Sequence, residues 1–342
     1  MEREIRRFRR LGLLAIAAVY LVILAGAIVR ASGAGMGCPD WPTCFGRWIP
    51  PTHESQLPAN YHEIYADLGY AETRFNPIKT WTEYINRLLG VACGFLIVLT
   101  VVFAVPFLKQ DARVFLASLA ALLLVMFQGW LGAVVVSSNL HPFMITANML
   151  LALAVATTLI YAVARSQKDY FYPIRSHVLT TKLEIILGLA LTITLTQVVL
   201  GAQVREAVET LARAHGHTHR TLWPLELPWV FYLHRAVGFM LLCTNLWLAW
   251  QLLRVLPQFH LMFRLALGLA LLTLLSVATG IGMERLGIPP ALQPIHLLCA
   301  NLIFGVQFLL WTALRYCRVS PPRGQGTIFN PTGSSFPPSR SS

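Results

Sequence analysis

Eight long apolar runs, separated by shorter polar stretches, dominate the hydrophobic pattern of this 342-residue chain. A helix needs about 20 predominantly apolar residues to cross the hydrocarbon core of a bilayer, and each run is close to that length. The pattern therefore predicts an all-α polytopic membrane protein with eight transmembrane helices. The runs lie at 11–30, 82–105, 114–137, 143–164, 183–203, 229–253, 265–283 and 292–314.

The positions of the basic residues predict how these spans are oriented. Five arginines lie between residues 3 and 10, and further Lys and Arg residues follow the second, fourth, sixth and eighth runs. Cytoplasmic loops carry an excess of Lys and Arg, so both termini are expected in the cytoplasm. The long loops 31–81 and 204–228 then lie outside. The first apolar core is longer than that of a secretory signal, which favours a retained helix.

The composition agrees with a membrane protein and sets the charge in context. Hydrophobic residues make up 56% of the chain and charged residues 12%, against about 25% charged residues in soluble domains. The net charge of +12 is typical of cytoplasmic anchoring. No nucleic-acid-binding motif is present, so no nucleic acid partner is expected. The Pro-, Gly- and Ser-rich segment 319–342 is predicted to be a disordered cytoplasmic tail.

An internal repeat relates the first four spans to the last four. The segment Glu83–Gly90 (EYINRLLG) matches Phe231–Gly238 (FYLHRAVG) in its Tyr, Arg and Gly positions. Four spans that repeat as four keep the same orientation, so an axis along the membrane normal is expected to relate the halves. We predict two repeated four-helix bundles, at 1–165 and 166–318. Further matches pair 25–31 with 200–206, and 148–152 with 296–300.

Two histidines in the second half are candidates for metal ligation. His234 and His296 lie about five residues inside their spans, and at ~1.5 Å per residue they have a similar depth. Two imidazoles at one level can take both axial positions of a haem iron. Arg205 and Arg235 are close enough to the outer face to pair with haem propionates. The alternative is that each histidine hydrogen-bonds a neighbouring helix.

The repeat places asparagines where the second half has histidines. Asn86 and Asn148 are the counterparts of His234 and His296, and an amide is not among the usual axial ligands of haem. They are either hydrogen-bonding residues between helices or contacts to a loosely bound porphyrin substrate. Glu83 shares a helix face with Asn86 and is either a catalytic acid/base or, with Thr80, part of a capping box.

Two loops carry further candidate chemistry. Cys38 and Cys44, six residues apart in the first long loop, are expected to form a disulfide on the oxidising side of the membrane. A zinc site is less favoured, because the histidines of this loop lack the usual spacing. Three histidines within 215–219 could hold a metal, although a solvated loop is the favoured interpretation.

The loop run 29–46, the motif at 83–87, the His234-Arg235 pair and His296 together resemble haem A synthase, a family of cytochrome oxidase assembly. The resemblance covers nearly the whole chain up to about residue 318 and implies oxidation of the C8 methyl of haem O to a formyl group, with oxygen from water. Haem b is the implied cofactor, held by His234 and His296, and haem O is expected in the first bundle.

The resemblance also assigns the remaining site residues. Glu83 matches the family's catalytic glutamate, and the Cys38–Cys44 pair matches a disulfide that assists the reaction or electron transfer. Family members usually have histidines where Asn86 and Asn148 stand. The substrate-binding residues implied for this chain are Asn86, Asn148, Arg87 and Arg30.

The expected location is the bacterial inner membrane. The partners considered are haem O as substrate, membrane lipid, haem O synthase and a second copy of the chain. Two other functions are left open by the sequence: a haem b-binding electron-transfer protein that has lost substrate chemistry, and a transporter built on parallel repeats. The first is favoured by the two asparagines, whereas no Gly/Pro-broken span supports the second.

Overall fold

A computed structural model describes residues 2–171, 181–214, 223–258 and 260–318. Within these ranges the ordered elements are helices and no strand is formed. The predicted tail at 319–342 and the histidine cluster at 215–219 lie outside the described residues.

Eight helices in the described ranges are long and apolar enough to cross a membrane, which confirms the predicted number and fold class. Short helical segments lie between them, notably Tyr61–Ile64 and Trp223–Glu226. The eight helices are α1 (Glu2–Ala31), α2 (Pro77–Ala104), α3 (Ala112–Ser137), α4 (Pro142–Arg165), α5 (Thr181–Ala214), α6 (Trp229–Val255), α7 (Leu261–Arg285) and α8 (Leu292–Arg318).

Two local predictions need correction. Helix α5 continues to Ala214, so the segment 204–214 is helical and not part of a loop. Helix α2 begins at Pro77, after Asn76, whose side chain accepts a hydrogen bond from the Lys79 amide at 3.1 Å. Proline at the first helical position and asparagine at the cap are both strong start signals. Glu83 therefore lies well inside the helix, and the capping-box interpretation is wrong.

The helices pack in the same order in the first four and the last four spans. In the first group, α1 and α3 each pack against α2 and α4, so α2 and α4 lie across the group from each other. In the second group, α5 and α7 each pack against α6 and α8. The predicted symmetry axis between the groups remains a prediction.

Helix α8 forms the seam between the two groups, because it packs against α1 and α4 as well as against α5 and α7. The contact is close at Gly305, where a Cβ atom would overlap the hydroxyl group of Tyr20. Only glycine leaves room for this tyrosine to reach across from α1. Separate apolar clusters fill the two groups, one around Leu187 and Leu269 and the other around Ile97 and Leu159.

Candidate functional site

A cavity of about 410 Å³ lies between the groups, but a larger one of about 910 Å³ contains the predicted histidines. The larger cavity is near the upper end of the roughly 300–1,000 Å³ range of small-molecule sites. Helices α5 to α8 form most of its wall, and Ala27, Arg30 and Met149 of the first group close one side.

The two histidines face each other inside this cavity. The ring centroids of His234 and His296 are 6.3 Å apart, and the ring planes make an angle of 64°. A separation of roughly 6 Å follows for two imidazoles on opposite sides of one metal, from two metal–nitrogen bonds of about 2 Å and the size of the rings. The spacing therefore fits a single iron between them.

The surroundings of His296 leave one of its nitrogens free to bind a metal. Its Nδ1 lies 2.9 Å from the carbonyl oxygen of Ser276 and 3.1 Å from Oγ1 of Thr279. A carbonyl only accepts hydrogen bonds, so the Nδ1–H group donates to Ser276 and the lone pair of Nε2 is free. Metal-binding histidines are commonly oriented by such a bond from the other ring nitrogen.

His234 is held by different contacts, and one of its ring nitrogens is buried without a hydrogen-bond partner among the described residues. This nitrogen is Nδ1, and the lack of a partner is costly for a buried polar atom unless a ligand uses it. Gln197 donates to the His234 carbonyl oxygen at 2.8 Å. Glycines give both rings room: a Cβ at Gly201 would lie 3.2 Å from Cε1 of His234, and one at Gly280 would lie 3.4 Å from Cε1 of His296.

Arginines from both groups line the cavity. Arg205 donates to the carbonyl oxygen of Arg30 at 3.1 Å, and Arg30 lies 3.5 Å from the carboxylate of Glu209. Arg235 is paired with Glu284 at 2.9 Å. Arg30, which the sequence assigned to the substrate half, thus lines the second-half cavity, and sequence reasoning missed both carboxylates because their partners lie in distant segments.

These residues fit a haem. The two facing imidazoles could supply ligands to its iron, the glycines leave space beside them, and the arginines could bind its propionates. Within the described ranges, no group of three or more His, Cys, Asp and Glu residues could hold another metal ion. His234 and His296 could hold the haem iron, and Arg205 and Arg30 could bind its propionates.

Glu83 is the buried carboxylate of the first group, with only 4% of its surface exposed. Its Oε1 accepts a hydrogen bond from Arg87 at 2.5 Å, and its Oε2 accepts one from the backbone amide of Cys38 at 2.9 Å. The second bond crosses from helix α2 to the long loop before it. The loop therefore takes part in orienting the carboxylate.

The loop between α1 and α2 contains the predicted disulfide, between Cys38 and Cys44, and both cysteines are fully buried. The disulfide closes residues 38–44 into a ring. Asp40 of this ring accepts hydrogen bonds from the amides of the two residues that follow it, Phe45 at 2.5 Å and Gly46 at 2.8 Å. The Thr43 hydroxyl also donates to Asp40.

An aromatic cluster covers the disulfide. Phe45 makes edge-on contacts, with ring centroids 5.2 to 6.5 Å apart, to Tyr61, Tyr65, Tyr70 and Phe75. The hydroxyl of Tyr70 donates to the Met36 carbonyl oxygen at 2.6 Å. Burial, with the nearby negative charge of Glu83, raises the pKa of the Tyr70 hydroxyl, so this group stays protonated and keeps its donor role.

Gly37 lets the loop lie directly on helix α2. A Cβ atom at this position would lie 2.5 Å from the carbonyl oxygen of Lys79, so a side chain would push the loop away. The hydroxyl of Thr80 donates to the Gly37 carbonyl oxygen at 2.8 Å. The disulfide ring is thus seated on the helix turn that precedes Glu83.

Arg87 joins the loop to the carboxylate. Its Nη1 donates to the carbonyl oxygens of Asp40 at 2.7 Å and Thr43 at 2.9 Å. Its Nη2 donates to the carbonyl oxygen of Cys38 at 3.1 Å and to Glu83. Sequence reasoning missed this role. The Glu–Arg spacing of four residues predicts only the helical ion pair.

Asn86 lies on helix α2 and Asn148 on helix α4, as His234 lies on α6 and His296 on α8. The Oδ1 atom of each asparagine is buried and has no hydrogen-bond partner among the described residues. A Cβ at Gly26 would lie 3.9 Å from Oδ1 of Asn86, so glycine and asparagine meet here as Gly201 and His234 do in the second group.

Comparison with known proteins places these features in a family. The family model COX15-CtaA, cytochrome oxidase assembly protein, matches residues 9–308. Haem A synthase of Shewanella oneidensis is 36% identical over 130 residues, which cover 38% of this chain and 37% of the relative. Haem A synthase of Alkalihalophilus pseudofirmus is 33% identical over 117 residues, covering 34% of this chain and 31% of the relative. These two alignments each span well under half of the relative.

A longer alignment extends over almost the entire chain. Haem A synthase of Listeria welshimeri is 25% identical over 309 residues, which cover 86% of this chain and 91% of the relative. The similarity therefore includes both groups of four helices.

Proposed function

Because the chain belongs to the COX15-CtaA family of cytochrome oxidase assembly proteins, we propose that it is a haem A synthase, which oxidises the C8 methyl group of haem O to a formyl group. The observation that carries this proposal is that one chain combines a buried, loop-held carboxylate, Glu83, with a facing pair of imidazoles. The first suits proton transfer and the second suits a resident haem.

The second group of helices is the proposed cofactor site. His234 and His296 would hold haem b, and Arg205 with Arg30 would meet its propionates. Arg235 is already paired with Glu284. Its predicted contact to a propionate therefore requires that its N–H donors be divided between Glu284 and the propionate. When bound, haem b supplies one-electron redox chemistry.

The first group is the proposed substrate site for haem O. Asn86 and Asn148 offer buried amide oxygens without partners among the described residues, at the positions where the second group has imidazoles. Hydrogen bonding by amides is weaker than iron ligation by imidazoles, and this suits a porphyrin that must enter and leave.

Glu83 is the proposed general base. Conversion of a methyl group and one water to a formyl group releases four protons and four electrons. An external electron acceptor takes up the electrons, and a proton acceptor must stand beside the reacting carbon. A carboxylate offers about four acceptor positions, and Arg87 and the Cys38 amide use one on each oxygen of Glu83. The free positions can accept a proton from the attacking water.

We place the enzyme in the inner membrane of a bacterial cell, as a multi-pass protein with both termini in the cytoplasm. The positive-inside distribution of Lys and Arg supports this orientation, which exposes the disulfide loop to the oxidising side. Haem O synthase is the proposed source of the substrate, and self-association is a further proposal.

Expression of the chain together with haem O synthase, followed by extraction and mass analysis of the haems, tests the function. We expect haem A. Haem b alone in the purified protein would instead indicate the electron-transfer alternative, which the asparagine pair favours, and a chain without any haem would indicate a transporter.

Glu83→Gln tests the proposed base in the same experiment. We expect haem A formation to fall by about 100-fold or more, because the amide cannot accept the proton, while haem b remains bound in the second group. Glu63→Gln, at an exposed position of the loop between α1 and α2, serves as the control and should retain activity. Wild-type turnover in the Glu83→Gln variant would contradict the assignment.

A further inference from the structure

The two Nη groups of Arg87 donate all their hydrogen bonds to other residues of this chain. Arginine has five N–H donors, of which four are on the two Nη atoms. The four bonds from these atoms reach three carbonyl oxygens, of Cys38, Asp40 and Thr43, and the Glu83 carboxylate. Only the Nε–H group is left to contact anything else.

The three carbonyl groups belong to one small ring. Cys38, Asp40 and Thr43 all lie within the segment that the Cys38–Cys44 disulfide closes. A single planar cation thus binds three backbone carbonyl oxygens of this ring. The Asp40 side chain accepts from the amides of Phe45 and Gly46, which directly follow the ring. The side chain of Arg87 is 13% exposed, so these bonds are largely shielded from water.

The same ring returns a hydrogen bond to the carboxylate. Cys38 accepts from Arg87 through its carbonyl oxygen and donates to Glu83 through its amide. Glu83 is therefore held from two sides: by Arg87 within helix α2, and by the Cys38 amide, whose position depends on the disulfide ring. Displacement of the ring would remove the Cys38 bond and leave the carboxylate oriented by Arg87 alone.

We propose that Arg87 is a positioning residue that seats the disulfide ring on helix α2 and orients Glu83, and that it does not bind the substrate. This inference rests on the proposed function, since Glu83 is the group that it places. It replaces the substrate-binding role that the sequence suggested for Arg87, because the Nη hydrogens needed for that role are already engaged.

The contact between the disulfide ring and helix α2 also shields the disulfide. Both cysteines are fully buried, and Sγ of Cys38 lies 3.7 Å from the Thr80 carbonyl oxygen of helix α2, so separation of the ring from α2 exposes this sulfur atom to a reductant. The rate at which Cys38 and Cys44 become reduced and alkylated therefore measures how often the ring is unseated. This readout does not depend on enzymatic activity.

The experiment compares Arg87→Gln, Arg87→Lys and the control Arg47→Gln in the full chain in membranes. Arg47 lies in the same loop and donates to the Gln56 carbonyl oxygen at an exposed position. Mild reductant and a maleimide are added, and labelling of Cys38 and Cys44 is followed by peptide mass spectrometry, which separates them from the other cysteines. The kcat and KM for haem O conversion are measured in parallel.

For Arg87→Gln we expect labelling to be roughly tenfold faster or more, because the ring is unseated more often. We expect kcat to fall roughly 100-fold through misplacement of Glu83, with KM within about twofold of the wild type. Arg87→Lys keeps the charge but has donors at one point instead of a fork, so both effects should be intermediate. Arg47→Gln should match the wild type.

Unchanged labelling with a raised KM in Arg87→Gln would show that Arg87 binds substrate and would overturn the inference. Faster labelling with an unchanged kcat would overturn the orienting role. Should Arg87→Gln fail to accumulate, Arg87→Lys decides by the same two criteria. A wild-type chain that produces no haem A refutes the proposed function, and the labelling rates then still decide whether Arg87 seats the ring.

Discussion

The two groups of four helices arrange their members in the same order but place different chemistry on the helices that face each other across the group. In the second group, α6 and α8 present His234 and His296 at a separation that one metal ion can span. In the first group, α2 and α4 carry Asn86 and Asn148, and a carboxylate and a disulfide loop are added. On the proposed function, the same helix arrangement would hold a resident haem in one half and a reacting porphyrin in the other.

A glycine lies beside the histidine of α6 and beside the asparagine of α2, so the two groups of helices also correspond in single contacts. Gly201 stands beside His234 and Gly26 beside Asn86, each on the first helix of its group. The distances differ, because a Cβ at Gly201 would lie 3.2 Å from the imidazole and one at Gly26 would lie 3.9 Å from the amide. The packing is therefore tighter around His234, at the proposed haem b site, than around Asn86, at the proposed haem O site.

The largest effect is expected from removing an imidazole. His234→Ala or His296→Ala should abolish haem b binding, since one iron ligand is lost and a buried polar partner is left alone. His260→Ala is the matched control, because His260 caps helix α7 through Met262 and does not line the cavity. The optical spectrum of the purified protein measures the effect. A normal low-spin spectrum in both histidine variants would remove the proposed haem site.

A second experiment makes the halves alike. The double variant Asn86→His and Asn148→His supplies two imidazoles to the first group, and we expect the purified protein to retain about one additional low-spin haem per chain. Product release should become slower as a result. The haem-to-protein ratio and the spectrum measure this change. A ratio equal to that of the wild type would show that the two groups do not share a binding geometry.

The smallest effect is expected at the glycines. Gly201→Ala should weaken haem b binding by about tenfold or less, because the added methyl group presses on His234 and a small overpacking is partly relieved by shifts of the side chain. Gly26→Ala is expected to be neutral, since its methyl group meets Asn86 at an ordinary contact distance. Haem titration of the two proteins measures the effect, and equal losses would contradict the difference in packing.

Much of the fold could be predicted because it depends on local composition. The eight apolar runs gave the eight helices, and the equal depth of His234 and His296 followed from their positions in those runs. The Cys38–Cys44 disulfide followed from proximity and compartment. The extension of α5 to Ala214 was missed because residues 204–214 are polar enough to resemble a loop.

The contacts that the sequence did not reveal join distant segments. Arg87 meets carbonyl oxygens more than 40 residues earlier in the chain, and any residue has such a carbonyl group, so no side-chain pattern records the contact. Arg30 lines the second-half cavity because α1 packs against α8, which the repeat alone does not indicate. Polar residues in apolar runs identified the candidate sites, but their partners required the tertiary structure.

The placement of α8 at the seam bears on how electrons would travel. This helix carries His296 on the side of the second group and contacts α1 and α4 on the other. A rocking motion of one group against the other, as in transport by alternating access, would drag a proposed iron ligand with it. A rigid junction would instead keep the distance between the two proposed porphyrin sites constant, so that electrons could pass between them without any movement of the two groups of helices.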